Sequence, residues 1–267
     1  MLEGILGSKS AMKVLFFLFV NERCYGSQIH SLLGTALTPI QKTLERLEKD
    51  GMLISHYEGK LRVYTMNPIY PLRNELEILL KKAYSLLSCQ EKKAYCFIHK
   101  PRLPFQEEIQ KNGEVKRDLL AFWELLRTIK QLSFSVTTKQ GEEQYTKVGK
   151  AEVVISSPSP SILIYSEKGY WFREEMPEST FNNSFRWTLD LKNSLISLEH
   201  LRYGPLHPVF LFQMTFKKPS VLEAIDSHLC ASDVYLGYIL RSKTGFDFYW
   251  RIIGPAKNDR LTYRYLL

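Results

Sequence analysis

Apolar and polar positions follow two different periods along the chain. Up to about residue 130 the apolar residues recur every three to four positions, and from Leu132 they recur every second one. The first spacing predicts amphipathic helices and the second predicts half-buried strands. Ser8 is placed to cap a helix over Lys9–Val20, a stretch without Gly or Pro. Asn21-Glu22-Arg23 reads as a loop. A short helix comes next over about 27–33, with Ile29, Leu32 and Leu33 apolar and Gly34 ending it. Thr38-Pro39-Ile40-Gln41 has the form of a capping box with proline at the first helical position. That helix runs to Asp50 and stops at Gly51. Ile40, Leu44 and Leu47 make its buried stripe, and Lys42, Arg46 and Lys49 project from the other side, flanked by Gln41 and Thr43. Two β-prone runs, 52–57 and 61–66, are joined by Glu58-Gly59-Lys60, a hairpin loop with its glycine.

A further helix is predicted over 72–87, where Leu76, Leu79, Leu80 and Ala83 share a face. It packs either on its own domain or on a second copy in a homodimer. Residues 89–113, with Lys92, Lys93, Lys100, Pro101, Arg102, Pro104 and Gly113, read as a linker. A helix over 114–130 then carries Leu119, Leu120, Phe122, Trp123 and Leu126, a broad apolar face suited to plug or cap the strand-rich part of the chain. After it come about nine short strands with turn residues between most of them, and no helical spacer of the kind a parallel sheet needs. Runs such as Val209-Phe210-Leu211-Phe212 are bulky on both faces, which favours a closed antiparallel barrel over an open sheet with a bare edge. The expected fold class is therefore α+β and multidomain. A winged helix-turn-helix with an appended helix spans 1–88, a linker 89–113, and a β-barrel domain 114–267.

Three segments carry a resemblance in the first part: Leu6-Gly7-Ser8-Lys9, Leu44 to Met52, and Arg62-Val63-Tyr64-Thr65-Met66-Asn67-Pro68. They resemble the ArsR-like winged-helix transcriptional regulators, closest to the subtype associated with nucleotidyltransferases. The Gly-Ser and Asp-x-Asp signature of those enzymes is missing from the rest of the chain. The resemblance implies a third helix in the DNA major groove and a hairpin near flanking phosphates. Gln41, Lys42, Thr43, Arg46, Lys49, Lys60 and Arg62 would be the DNA-contacting residues, with double-stranded DNA as partner. In the second part, Tyr165-x-Glu167-x-Gly169, Arg186-Trp187, Glu199 to Pro205, His228-x-Cys230-x-x-Asp233-x-Tyr235 and Trp250-Arg251-x-x-Gly254-Pro255-x-Lys257 resemble an uncharacterised bacterial domain family with a lipocalin-like (calycin) barrel. That resemblance implies a fold and no activity, and the early Gly-x-Trp of lipocalins is absent.

Polar residues set among apolar strand neighbours are the candidates for a barrel ligand site: Glu167, Arg186, Arg202, His228, Asp233, Tyr235, Arg251, Lys257 and Tyr263. Cationic and aromatic groups together suit a small planar or anionic ligand. The same residues could instead fix strand register in a filled barrel. His228 and Cys230 share a face at i and i+2, but two ligands are too few for a zinc site, so no metal, cofactor or catalytic residue is assigned.

Charge alters this picture little. The 267 residues hold 36 Lys+Arg against 28 Asp+Glu, a net +8. Residues 1–88 contribute 11 against 8 and the remainder 25 against 20, so the excess is not concentrated on the presumed DNA reader. The longest apolar run, Val14–Val20, is far short of the roughly 20 residues of a spanning helix. Met1-Leu2-Glu3-Gly4 does not open a secretory signal, and four scattered cysteines fit a reducing cytoplasm. The expected function is a cytoplasmic DNA-binding regulator whose barrel senses a small ligand or docks a partner, without a membrane role. The alternative is a small-molecule enzyme, or a non-catalytic interaction protein, that uses the winged helix for docking.

Overall fold

The computed structural model describes residues 3–98, 112–140, 143–174, 176–230, 233–254 and 257–267. They divide into two compact units between Phe97 and Ile98.

The first unit contains helices α1 (Glu3–Leu6), α2 (Lys9–Asn21), α3 (Gly26–Leu33), α4 (Leu37–Lys49), α5 (Arg73–Ser85) and α6 (Cys89–Tyr95), and strands β1 (Arg23–Cys24), β2 (Leu53–Glu58) and β3 (Leu61–Met66). The Ser8 hydroxyl accepts from the Ala11 N–H at 3.1 Å and so satisfies one of the amides left open at the start of α2. Most of α2 is core, with Val14, Leu15 and Phe17 fully buried. Ile40, Leu44 and Leu47 of α4 are buried as their spacing predicts. Tyr84 of α5 and Tyr95 of α6 stand edge-on to Phe16. The buried Asn21 amide donates to the carbonyls of Phe17 and Tyr95, which pins α6 to α2.

Three local expectations change. The Thr38–Gln41 capping box does not form. The helix starts two residues earlier at Leu37, with Ala36 as its N-cap and no side-chain cap bond. Leu37 packs where α3 begins, close to Gly26, so tertiary packing overrides the local signal. A capping box does form between Ser88 and Glu91. It starts α6, where the linker was expected to begin. Arg23, expected in a loop, and Cys24 beside it pair with Thr65 and Tyr64 as β1. The resulting antiparallel sheet has the order β1-β3-β2.

The second unit is an antiparallel barrel with one helix, α7 (Asn112–Leu126). Its strands are β4 (Gln131–Gln140), β5 (Glu143–Ser159), β6 (Ile162–Arg173), β7 (Ser179–Asp190), β8 (Leu195–His200), β9 (Val209–Lys218), β10 (Val221–Ala224), β11 (His228–Cys230), β12 (Asp233–Arg241), β13 (Gly245–Gly254) and β14 (Lys257–Leu266). These eleven strands exceed the expected nine by the short β10 and β11, and stretches such as 143–150 and 168–173 extend β5 and β6 beyond the periodic runs. Ten of them close into a ring: β14 pairs β4, and β10 pairs β12. β11 continues the line of β10 along the same edge of β12. On the other side, β9 pairs β10 only through its second half, so the ring is not stitched by backbone between the start of β9 and β11.

Alternation assigns the faces. On β6 the inward row is Leu163, Tyr165, Glu167, Gly169, Trp171 and Arg173, and the other strands align with it through their register. One end of the barrel is closed by α7, whose Leu119, Phe122, Trp123 and Leu126 join the barrel core. Phe122 meets Phe216 and Phe246 edge-on, the Tyr165 hydroxyl donates to the Leu126 carbonyl at 2.5 Å, and the Trp123 indole donates to the Pro160 carbonyl at 3.0 Å. Such buried bonds anchor the helix, because a carbonyl or indole left unpaired there would carry its full desolvation cost.

Candidate functional site

The end opposite α7 is built differently. Inward residues near α7, such as Leu163, Tyr165 and Ile196, have no exposed surface, whereas Phe134, Tyr145, Lys147, Trp171, Arg173, Phe181, His200 and Tyr235 face the same interior and are partly exposed. At this end inward side chains, packed on one another, reach solvent at their edges. The packing is aromatic: Phe134 meets Phe181 and Tyr263, and His200 lies flat on Phe185 at 4.7 Å. Burial, and then the charge of Arg202, hold His200 below the usual imidazole value.

Two cations at the rim rest on rings. Lys147 Nζ stands 4.4 Å from the Trp171 ring centroid, and the Arg173 guanidinium 4.0 Å from that of Tyr145. Neither makes an ion pair among the described residues. A third cation, Lys257, is bonded to Asp233 at 3.1 Å, which raises its pKa.

Deeper in the barrel, Glu167 is completely buried. Its Oε1 accepts from the Tyr265 hydroxyl at 2.7 Å, and the carboxylate also takes a hydrogen bond from the Asn183 amide across the strand pair. Burial pushes its carboxyl up to about 7, against the opposing influence of Tyr265 and of Asn183, its cross-strand neighbour. Trp187 Nε1, Trp250 Nε1 and Asp259 Oδ1 are buried without a partner among the described residues, and all three side chains lie on the inward face.

The sequence-predicted barrel set separates on this geometry. Glu167 and Tyr263 lie inside. Asp233, Tyr235 and Lys257 lie on the inward face at the end opposite α7. His228 sits directly across from Tyr235 in the β11–β12 pairing, with its ring also against Phe210. Arg202 lies beyond β8 with its guanidinium over Tyr203. Two of the nine are on the outer face. Arg186 alternates with the core residues Phe185 and Trp187 and pairs outside with Glu199 at 2.6 Å. Arg251 alternates with the inward Trp250 and Ile252 and is buried against the outside, donating to Asn258. The combination of His228, Asp233 and Arg251 in one cavity, which an enzyme reading would need, is therefore not assembled. No cluster of three or more His, Cys, Asp or Glu able to hold a metal occurs among the described residues. A solvent-open depression of about 600 Å³ lies at the closed end between Arg127, Lys130, Ile155 and Leu267, away from the aromatic end.

Sequence reasoning missed Tyr145, Lys147, Trp171, Arg173, Asn183 and Tyr265. Parity could have found the rim pair: Lys147 shares its face with Ala151 and Val153, and Arg173 with Leu163 and Tyr165.

On the first unit, the predicted DNA set also divides. Gln41, Lys42, Lys49 and Lys60 are exposed. Lys42 and Lys49, seven residues apart, share one face of α4. Thr43 is a correction: it is buried and its hydroxyl donates to the Pro39 carbonyl at 2.8 Å, so it faces the core and not a groove. Arg46 reaches back to the Leu6 carbonyl at 3.3 Å. Arg62 is held by Glu48 at 2.6 Å and by Ser55, and Arg23 similarly takes Glu58. These pairs neutralise acids of α4 and β2 and leave Lys42, Lys49 and Lys60 outside any ion pair among the described residues. No helix is long and apolar enough to cross a membrane among the described residues.

Residues 119–266, from within α7 to the end of β14, match the family of unknown function DUF6314. A DUF1329 family protein from Desulfovibrio piger is similar in structure at 7% identity, over 58% of this chain and 92% of that one, with a TM-score of 0.24, too low to define a shared fold. No curated protein matches.

Proposed function

This chain belongs to the family of unknown function DUF6314, and on that footing we propose that it is a DNA-binding transcriptional regulator in which a winged helix-turn-helix is joined to a ligand-binding barrel. Supporting the first half is the order α2, β1, α3, α4, β2, β3 with the sheet order β1-β3-β2, which is the arrangement expected of a winged helix. The observation that carries the reading is the exposed row Lys42 and Lys49 on α4, with Lys60 at the hairpin tip; Glu48 and Glu58 are already paired with Arg62 and Arg23, and the exposed Glu45 near Lys42 works against it. A reading helix needs a few well-placed donors more than it needs net charge. Arg46 and Arg62 are engaged at the surface, with the Leu6 carbonyl and with Glu48. The second half rests on the partly exposed aromatic end of the barrel and its cationic rim, and its likeness to calycins is limited to a barrel with one end plugged.

The test is selection of duplex DNA by the full-length protein, with anisotropy titrations of the selected duplex across salt concentrations. Removal of one phosphate-binding cation lowers the slope of log affinity against log salt by about 0.9. Lys42→Ala, Lys49→Ala and Lys60→Ala together should lower it by about 2.7 on that scale. An unchanged slope and affinity would refute the DNA interface, and a folded chain that selects no DNA would leave the docking role for the first unit.

A further inference from the structure

Helix α5 has two apolar sides. Leu76, Leu80 and Ala83 are buried in the first unit. On the other side Leu72, Ile78 and Leu86 are 58%, 69% and 55% exposed, with Leu79 half-buried among them. Single exposed apolar residues are ordinary, whereas four along one helix make a stripe. Leu72, Leu79 and Leu86 recur every seven residues and so form one line, about 21 Å from the N-cap to the C-cap. Glu75 and Lys82, also seven apart, form the next line, with Ile78 on its far side. Their own helix offers neither of them a partner. The positions three and four after Glu75, and three and four before Lys82, are the same two residues, Ile78 and Leu79. Glu75 and Lys82 lie about 10 Å apart along the axis, too far to pair with each other. Neither makes an ion pair among the described residues, whereas Arg73 on the opposite flank takes Glu77 at 3.1 Å.

A second α5 running antiparallel to the first completes both lines. The midpoint of Glu75 and Lys82 falls between Ile78 and Leu79, and the midpoint of Leu72 and Leu86 falls on Leu79. One two-fold axis at the middle of the helix therefore sets Glu75 against the partner subunit's Lys82, and Leu72 against the partner subunit's Leu86, each contact occurring twice. A parallel pairing would set like charges against each other at both positions, which costs affinity and orientation alike. We propose that α5 is the interface of an antiparallel homodimer, closed by the leucine line and Ile78 and oriented by Glu75 and Lys82. About four turns of helix from each copy is at the small end of specific interfaces, so the dissociation constant should be on the order of 10 μM. The interface stands apart from the DNA and ligand readings and needs neither.

The test is sedimentation equilibrium of the full-length protein at loading concentrations up to on the order of 100 μM. Wild type should pass from monomer to dimer across that range. Ile78→Ser with Leu86→Ser, both at exposed positions, should leave a monomer throughout. Glu75→Lys and Lys82→Glu each turn both ion pairs into like-charge contacts, and each should weaken dimerisation about tenfold or more at low salt. The two charge changes made together in one chain should restore dimerisation to within about threefold of wild type, and an equimolar mixture of the two single variants should form the mixed dimer. Recovery in the combined variant, with helix content from circular dichroism, separates a lost interface from a lost fold. Folded wild type that stays monomeric would overturn the proposal and leave the stripe to be covered within its own chain. A dimer unmoved by the Ile78 and Leu86 changes, or one of equal affinity in all four charge forms, would overturn it as well. A chain that dimerises as described yet selects no DNA would refute the regulator reading and leave the interface standing.

Discussion

Replacing Glu167 with Gln should change how barrel stability depends on pH, with a sign fixed by burial. The Glu167 carboxyl is raised from the ordinary 4.5 to about 7. Between these values the folded chain holds a proton that the unfolded chain has released, so stability falls as pH rises. The contribution is fully present below pH 4.5 and gone above about 7. Each pKa unit corresponds to about 1.4 kcal/mol, so the loss across the window is ~3 kcal/mol for this fully buried group. Gln keeps an acceptor for the Tyr265 hydroxyl and removes the titration. His200 works in the opposite direction: its value is depressed, so its part of the stability is lost as pH falls below about 6.5. That effect is common to both proteins and cancels in their difference. All four tryptophans, Trp123, Trp171, Trp187 and Trp250, lie in the second unit, so urea unfolding monitored by tryptophan fluorescence reads the barrel alone. From pH 5 to 7.5 the wild type should lose about 2 kcal/mol of this relative to Glu167→Gln. Parallel stability curves for the two proteins would refute the account of a buried, proton-holding carboxyl.

Three further outcomes test the fold itself. Phe122→Ala empties the contact of α7 with Phe216 and Phe246 and should cost the barrel about 3–5 kcal/mol in the same urea assay. Gly169→Ala would place a β-carbon 2.0 Å from the Lys150 carbonyl oxygen, so strands β5 and β6 must part, and the variant should fail to give the wild-type near-ultraviolet dichroism at any temperature. Ser8→Ala removes the cap bond to Ala11 and should lower the stability of the first unit by about 1 kcal/mol, measured by amide exchange in α2, with the tryptophan-monitored barrel transition unchanged.

What could be read from the sequence depends on which forces act locally. The helix starting after Ser8, the stop at Gly34 and the stripe Ile40, Leu44, Leu47 depend on near neighbours, and the structure has them. The start of α4 depends on Leu37 meeting α3, a contact between helices that no capping pattern contains. Barrel closure was legible as bulk on both strand faces, whereas the strand count was not, since β10 and β11 are only four and three residues long, too short to show a period. The candidate site obeys the same rule. Glu167 was among the polar residues set among apolar strand neighbours, and it is the most buried charged group of the described residues. Arg186 and Arg251 look equivalent by that criterion and are not. A polar residue between two apolar ones in a strand faces away from them by geometry, so both belong outside, as their alternation with Phe185, Trp187 and Trp250, Ile252 already required. Glu167 differs because its neighbours two positions away, Tyr165 and Gly169, share its face. Counting by twos, and not by adjacency, separates the interior residue from the exterior ones, and the same count reaches Lys147 and Arg173 at the rim.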